Sequence, residues 1–180
     1  MKIFLPAVGP TKQVKIFEVQ SLAIDEGEFQ VIITGNTLEN IAEEVNIVFS
    51  LLRVHCTYFN LDIKFLKNKD YHIHINQLVY SKEGESSGMA IFLSLMCAIK
   101  GWHKDYSCLA TGEIDLYGNI LPIENLEKKL EFDQEKFDYI IIPKKCMTDK
   151  FKHNKKIVGI ANIFELYSFL ERKENEMVNF

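Results

Sequence analysis

Apolar and polar residues alternate along this chain with two different periods, which predict strands and helices in mixed order. Alternation over residues 71–76 indicates a half-buried strand, which a strand-like run continues to residue 80. Apolar residues recur at helical spacing over residues 37–55, and Asn36 is placed to cap this amphipathic helix. Residues 89–99 are apolar on all sides, so we expect a central buried helix there, ended by Gly101.

The remaining pattern adds shorter elements of both kinds and a turn at residues 117–119. Predicted strands cover residues 14–19, 28–34, 107–116, 120–123, 139–142 and 156–160, and predicted helices cover 125–134, capped by Asn125, and 163–173, capped by Asn162. Strands and helices mix without regular βαβ alternation, which favours an α+β fold. We expect one domain over residues 1–180, with a frayed tail at 174–180.

Composition is that of an ordinary soluble domain of 180 residues, with 47% apolar and 26% charged residues. The net charge of −4 and the short, interrupted lysine patches argue against nucleic-acid binding. No apolar run reaches membrane-spanning length, and no signal peptide is recognisable at the N-terminus. The four cysteines are far apart, which excludes a Cys-x-x-Cys zinc motif and favours a reducing compartment, so we expect a cytoplasmic protein without a metal.

The loop over residues 83–88 joins the strand-like run to the buried helix and reads Glu-Gly-Glu-Ser-Ser-Gly. Ser86 has a glycine two residues to either side, an arrangement that presents a nucleophile to a closely approaching substrate. The amides and partial positive charge of a helix N-terminus suit an oxyanion. Equally, the loop can be structural, with Ser86 or Ser87 as the N-cap of the helix.

A serine hydroxyl needs a base, and a Ser-His-Asp triad is one candidate arrangement. The loop matches the G-x-S-x-G elbow of α/β-hydrolases, and Asp138 or Asp149 followed by His153 has the required chain order. Too few βα units follow Ser86 for that fold, which argues against this interpretation.

Two other partners are possible for the serine. His72 and His74 share one face of the predicted strand, but no third metal ligand stands out, and a hydrogen-bonded pair beside a site fits them better. Lys129 lies at the border of the apolar stripe of the helix after Asn125, where partial burial would favour its neutral form. A border lysine can equally extend its amine to solvent.

Taken together, four ordered segments resemble the proteolytic domain of Lon protease. That family carries an H-x-H strand, a G-P-S-A-G-type serine loop, a T-G-E-I segment and an L-P-I-G-G-L-K-E-K-L segment. The matching residues here are His72-Ile73-His74, Lys82-Glu83-Gly84-Glu85-Ser86-Ser87-Gly88, Thr111-Gly112-Glu113-Ile114 and Leu121-Pro122-Ile123-Glu124-Asn125-Leu126-Glu127-Lys128-Lys129-Leu130. The correspondence is best over residues 27–145.

The resemblance implies the Lon-type α+β fold, similar to the second domain of ribosomal protein S5. It assigns Ser86 as the nucleophile and Lys129 as the general base of a Ser–Lys dyad. Thr111 would hold the lysine amine through its hydroxyl, and backbone amides around Ser86 would form the oxyanion hole. The resemblance also implies supporting roles for Glu83 and His74. It implies that the substrate-binding or oxyanion loop contains Gly84, Glu85 and Ser87. The reaction implied is peptide hydrolysis through an acyl-enzyme.

This chain departs from the family at positions close to the dyad. Glu83, Glu85 and Ser87 replace the family's Asp, Pro and Ala, and Glu124-Asn125 replaces Gly-Gly. Extra carboxylates would favour a charged lysine, which predicts an alkaline optimum or a preference for basic peptides. A binding or regulatory module that keeps the fold but hydrolyses little is therefore the alternative.

Partners and cofactors follow from the same resemblance. No G-x-x-x-x-G-K-[ST] motif occurs, so we expect a protease domain without its own ATPase module. It would act on peptides or unfolded proteins without ATP, or receive substrate from a separate ATPase. The resemblance implies a homo-oligomer, with a hexameric ring as the family arrangement, and it implies no cofactor.

Overall fold

A mixed sheet organises this domain in a computed structural model that describes residues 1–9, 11–35, 39–75 and 86–176. Its strands are β1 (Lys2–Val8), β2 (Val14–Asp25), β3 (Val31–Thr34), β4 (Lys69–Ile75), β5 (Ser107–Ala110), β6 (Glu113–Ile114), β7 (Ile120–Leu121), β8 (Tyr139–Pro143) and β9 (Ile157–Ile160). The α-helices are α1 (Glu39–Val54), α2 (Ile63–Lys67), α3 (Gly88–Lys100), α4 (Leu126–Lys129), α5 (Asp149–Lys152) and α6 (Ile163–Asn175). Two 3₁₀ helices lie at Gln134–Lys136 and Lys144–Cys146.

Seven strands form one sheet in the order β3-β4-β2-β1-β5-β8-β9. The pairs β1–β2 and β2–β4 are antiparallel, whereas β3–β4, β1–β5, β5–β8 and β8–β9 are parallel. Strands β6 and β7 form a separate antiparallel pair. This mixed sheet with segregated helices confirms the predicted α+β class.

Helix α3 is buried along almost its whole length, as its unbroken apolar sequence predicts. It packs on β2 and β1 and against α1. Its one buried hydroxyl, on Ser94, bonds to Val19 O at 3.0 Å and to Ser21 Oγ at 2.8 Å. The helix ends at Gly101, whose φ of 65° provides the left-handed conformation of a helix C-cap.

Strand β4 confirms the predicted alternation of buried and half-buried residues. Tyr71, Ile73 and Ile75 are fully buried, while His72 and His74 are partly exposed on the other face. The continuation of this strand to residue 80 and the cap at Asn36 lie outside the described residues. Phe49 of the amphipathic helix α1 packs against this buried face, with its ring centroid 4.8 Å from that of Tyr71.

The predicted strand over residues 107–116 is wrong as a continuous element. It is divided into β5 and β6 by Thr111 and Gly112, which belong to neither strand. Thr111 N still donates to Ile141 O at 3.1 Å, but Gly112 N turns to Ser86 O at 2.8 Å. A backbone hydrogen bond to the serine loop therefore interrupts the strand, and no residue pattern in 107–116 indicates it.

The predicted helix over residues 125–134 is also too long, since α4 ends at Lys129. Asn125 precedes it with a φ of 55° and makes no side-chain cap bond, so its predicted role as a cap is wrong. Asp133 Oδ1 instead accepts a hydrogen bond from Glu135 N and begins the 3₁₀ helix Gln134–Lys136. The two short helices place Leu130 in the smaller core cluster between them.

The sequence pattern did not predict β1, which pairs with β2 and β5. Pro6 is tolerated there because its pairing is with Ile16 of β2, while the pairing with β5 ends at Phe4. At the other end α6 reaches Asn175, two residues beyond the prediction, and residues 177–180 lie outside the described part. In that part, no helix is long and apolar enough to cross a membrane.

Candidate active site

Ser86 and Lys129 meet in the interior of the domain. Lys129 Nζ donates a hydrogen bond to Ser86 Oγ at 2.8 Å, although the two residues are 43 positions apart. Ser86 is 5% exposed and Lys129 only 3% exposed. The sequence placed Lys129 at the border of its apolar stripe, whereas the structure buries it together with Leu126 and Leu130.

Backbone hydrogen bonds fix the serine loop against the interrupted strand. Gly112 N donates to Ser86 O at 2.8 Å, and Met89 N donates to Gly112 O at 3.0 Å. A Cβ atom on residue 112 would lie 3.0 Å from Met89 Sδ and 3.1 Å from Ile120 Cγ2. A larger residue would require the Met89 or Ile120 side chain to shift by a few tenths of an ångström, so glycine suits this close approach of the two segments. Through its amide, Gly112 holds the backbone of Ser86.

Lys129 is positioned by the single turn of α4. Its amide donates to Asn125 O at 2.9 Å, which closes the turn, and the buried side chain of Leu126 holds the turn against the smaller core cluster. The neighbouring Lys128 instead points outward and pairs with Glu131 at 2.5 Å. The turn therefore separates two adjacent lysines into a buried one and an exposed one.

Thr111 does not make the hydrogen bond to the lysine amine that the resemblance implies. It is fully buried, and within the described residues its Oγ1 atom has no hydrogen-bond partner. Its backbone amide donates a hydrogen bond to Ile141 O in the sheet, so the backbone of Thr111 is held independently of its side chain. A buried hydroxyl without a partner is uncommon in folded proteins.

Glu44 of α1 is a buried carboxyl at the site that sequence reasoning missed. It is 5% exposed, and its Oε2 atom accepts a hydrogen bond from Ser87 Oγ at 2.9 Å. Ser87 N also donates to Glu44 Oε1, at 3.3 Å. Burial, helped by the charge of Glu113 and opposed by Ser87 and Lys129, raises the pKa of Glu44 to about 8. Its position three residues after buried Ile41, on the apolar face of α1, was the available signal.

The amides beside Ser86 are partly engaged within the domain. Ser87 N donates a hydrogen bond to Glu44 Oε1, and Met89 N donates one to Gly112 O. An oxyanion hole at Ser87 therefore requires that its amide be shared with, or released by, the Glu44 carboxyl. Glu83, Gly84 and Glu85, the other predicted loop residues, lie outside the described residues.

The two histidines of β4 form a small cluster with Thr34. Thr34 Oγ1 lies 2.8 Å from His72 Nε2 and 2.8 Å from His74 Nδ1. Among the described residues no hydrogen bond joins either histidine to Ser86 or Lys129, and no group of three potential ligands is placed to hold a metal ion.

The alternative Ser-His-Asp arrangement has its carboxylates in other contacts. Asp138 accepts hydrogen bonds from the amide and the hydroxyl of Ser107, both at 2.8 Å. Asp149 pairs with Lys152 at 2.8 Å, one turn along α5. Neither carboxylate bonds to His153 in the described part of the chain, so the structure does not assemble this triad.

The family comparison covers the part of the chain that contains this site. Residues 11–164 match the model of the Lon protease (S16) C-terminal proteolytic domain. This chain belongs to that family. The resemblance seen in four short segments is thus confirmed over most of the chain. The chain contains a Lon-type serine peptidase domain.

Individual Lon proteases are similar over the same region. The Lon protease of the Aster yellows witches'-broom phytoplasma is 29% identical over 79% of this chain and 19% of its own length. Lon protease of Clostridium acetobutylicum is 32% identical over 71% of this chain and 16% of its own. Lon protease 1 of Thermus thermophilus is 32% identical over 72% of this chain and 16% of its own length. The matched region is thus less than a fifth of each of these relatives.

Proposed function

We propose that this domain hydrolyses peptide bonds through a Ser–Lys dyad formed by Ser86 and Lys129. The observation that supports the proposal most directly is the 2.8 Å contact between Ser86 Oγ and Lys129 Nζ in a buried site. A nucleophile within hydrogen-bond reach of its base is the minimal geometry for covalent catalysis.

In the proposed reaction the neutral Lys129 amine accepts the Ser86 hydroxyl proton, so the hydrogen bond between them reverses direction. Ser86 Oγ forms a bond to the carbonyl carbon of the peptide, and the carbonyl oxygen takes the electron pair. Collapse of this tetrahedral intermediate breaks the C–N bond, and the Lys129 ammonium returns the proton to the leaving amine. Water then attacks the acyl-enzyme in the same manner and releases the acid.

Burial supports the neutral form of the lysine that this reaction needs. With only 3% of Lys129 exposed, the ammonium form loses most of its hydration. Glu44, the buried carboxyl that accepts hydrogen bonds from Ser87, has a pKa of about 8 and is mostly uncharged at pH 7. It therefore adds little negative charge that would hold Lys129 in its ammonium form at that pH.

The supporting roles implied by the family remain part of the proposal. We propose that Thr111 Oγ1, which has no partner among the described residues, accepts a hydrogen bond from the ammonium formed during the reaction. Glu83, Gly84, Glu85 and Ser87 would bind the substrate and its oxyanion, and His74 would support this loop from β4.

The proposal is tested by cleavage of fluorescently labelled casein and by labelling with a fluorophosphonate. We expect Ser86→Ala and Lys129→Ala each to lower the cleavage rate by about 10³-fold or more, the scale of losing a catalytic dyad member. Lys128→Ala is the matched control, because this neighbouring lysine is exposed and paired with Glu131. Wild-type activity in either dyad variant would contradict the proposal.

A peptide-docking module that hydrolyses little is the second candidate. The observation in its favour is the hydrogen bond from the Ser87 amide to Glu44, which competes with an oxyanion for that amide. Folded wild-type protein that binds casein but is neither labelled by the fluorophosphonate nor able to cleave would favour this function.

The assembly and energy supply are further parts of the proposal. We propose a homo-oligomer, with the hexameric ring of the family as the first model, and the fold of ribosomal protein S5 domain 2. The 180 residues would cleave unfolded casein at the same rate with and without ATP, while a separate ATPase would be needed for folded substrates. Sedimentation and cleavage assays of the purified chain measure both.

A further inference from the structure

Glu44 reaches the start of α3 through the space beside Gly88. A Cβ atom on residue 88 would lie 2.9 Å from Glu44 Oε2 and 3.1 Å from Ile114 Cγ1. The glycine therefore allows the carboxyl to lie against the first turn of α3, where its two oxygens accept hydrogen bonds from Ser87 Oγ and Ser87 N. Helix α1 thereby contacts the residue that directly follows Ser86.

We propose that Glu44 is a positioning residue, which holds Ser87 by its amide and hydroxyl, fixes Ser86 against Lys129, and changes this hold when it ionises. The inference deepens the Ser–Lys function proposed above and rests on it. Glu44 itself need not touch the substrate.

Burial of Glu44 is costly, which argues that it has a role beyond stability. A carboxyl removed from water loses hydration that an apolar residue at the same position of α1 would not lose. The neighbouring positions Ile41, Val45 and Val48 are fully buried and apolar, so an apolar residue would suit the packing of this face. The polar contact that Glu44 makes here is with Ser87.

The charged groups that face Glu44 define its titration. Glu113 of β6 opposes its ionisation, and Lys129 of α4 favours it. The first turn of α3 is Gly88-Met89-Ala90-Ile91, which contributes no ionisable side chain. The resulting pKa of about 8 places the change between the two forms about one unit above neutral pH.

The two forms of Glu44 hold Ser87 differently. An ionised carboxylate only accepts hydrogen bonds, so both Ser87 donors point toward it. In the neutral form one oxygen carries a proton and can donate, so the Ser87 hydroxyl can turn its own proton away. Ionisation also places a negative charge near Lys129, which favours the ammonium form and opposes its action as a base.

Three variants separate these effects. Glu44→Gln keeps the shape and hydrogen-bonding capacity of the neutral carboxyl but cannot ionise. Glu44→Ala removes the carboxyl and its contact with Ser87. Ser87→Ala removes the hydroxyl that donates to Glu44. Glu43→Gln is the matched control, since Glu43 is the preceding residue of α1 and is exposed.

The first measurement does not depend on catalysis. We expect the ¹⁵N chemical shift of the Ser87 amide to titrate with a midpoint near pH 8 in the wild type and in Glu43→Gln. The same titration should be absent in Glu44→Gln. A Ser87 shift that is independent of pH in the wild type, or unchanged by Glu44→Gln, would overturn the proposed hold, whether or not the protein cleaves peptides.

The second measurement is the pH dependence of kcat and KM for a fluorogenic peptide. At pH 7 we expect Glu44→Gln to resemble the wild type, and above pH 8 its kcat should exceed that of the wild type. Glu44→Ala and Ser87→Ala should lower kcat about ten-fold, the scale of one lost buried hydrogen bond, with little change in KM. Unchanged kcat in folded Ser87→Ala and matching pH profiles in Glu44→Gln would overturn the positioning role. A wild type that titrates but does not cleave would contradict the Ser–Lys function alone.

Discussion

Helices α3 and α6 both have 13 residues and both follow a polar residue, yet they begin in different ways. Asn162 caps α6 in the usual manner, because its Oδ1 atom accepts a hydrogen bond from Glu165 N at 2.9 Å. Ser87 precedes α3 but makes no side-chain cap bond. Its hydroxyl is directed at Glu44 of α1 instead.

The difference follows from how each helix is stabilised. One face of α6 is buried, while Phe164 and Glu165 in its first turn are only partly buried, so this turn gains from a cap. Helix α3 is buried on nearly all sides, and packing stabilises it without one. The start of a helix that the core already stabilises can therefore present Ser86 and Ser87 to chemistry, whereas a surface helix uses the same position for stability.

The largest expected difference between the two helix starts is a pH dependence of the free energy of unfolding, caused by Glu44 at the start of α3. The pKa of Glu44 is about 8 in the folded protein against 4.5 as its ordinary value, so between these pH values the folded state binds more protons than the unfolded state. The free energy of unfolding of the wild type should fall relative to Glu44→Gln as pH rises through this window, by up to about 5 kcal/mol. Urea unfolding at pH 5, 7 and 9 measures it.

Below pH 4.5 both states of the wild type carry a protonated Glu44, so the difference between wild type and Glu44→Gln should no longer change there. Glu43→Gln is the control and should follow the wild type across the whole range, because Glu43 is exposed. A constant difference between wild type and Glu44→Gln from pH 5 to 9 would show that Glu44 is not held in its neutral form.

The second prediction concerns Lys129, the buried amine beside the start of α3. Lys129→Met keeps the length and apolar stem of the side chain but removes a group that is costly to bury. We expect the free energy of unfolding to rise by about 1–3 kcal/mol while peptide cleavage is lost. Lys128→Met should change stability by less than about 0.5 kcal/mol, because that lysine is at the surface. Lower stability of Lys129→Met would mean that the amine is structural.

The sequence predicted the elements whose periodicity is set by the main core. Helix α3 and strand β4 were found because almost every residue in them obeys one burial rule. The break between β5 and β6 was missed, since it depends on a hydrogen bond from Gly112 N to Ser86 O that crosses the fold. Strand β1, with its proline, gave no clear alternation and was also missed.

The residues of the site could be predicted only partly from the sequence, for a related reason. Lys129 lies 43 residues from Ser86, so periodicity could mark it as a border residue but could not select it as the partner. The order of four family segments made that selection. Glu44 belongs to none of these segments, and a carboxylate on the apolar face of α1 was its one sign. The Thr111 contact implied by the family was not formed.

The smallest expected effect tests the start of α6 and completes the comparison. Asn162→Ala removes the acceptor of the Glu165 amide, so the free energy of unfolding should fall by about 1 kcal/mol, while cleavage stays at the wild-type rate. Asn162→Asp keeps an acceptor at this position and should retain most of the stability. Thermal unfolding and casein cleavage of both variants measure this. If Asn162→Ala instead lowered kcat without lowering stability, the assignment of stability to α6 and chemistry to α3 would be wrong, because both helix starts would then act on the site.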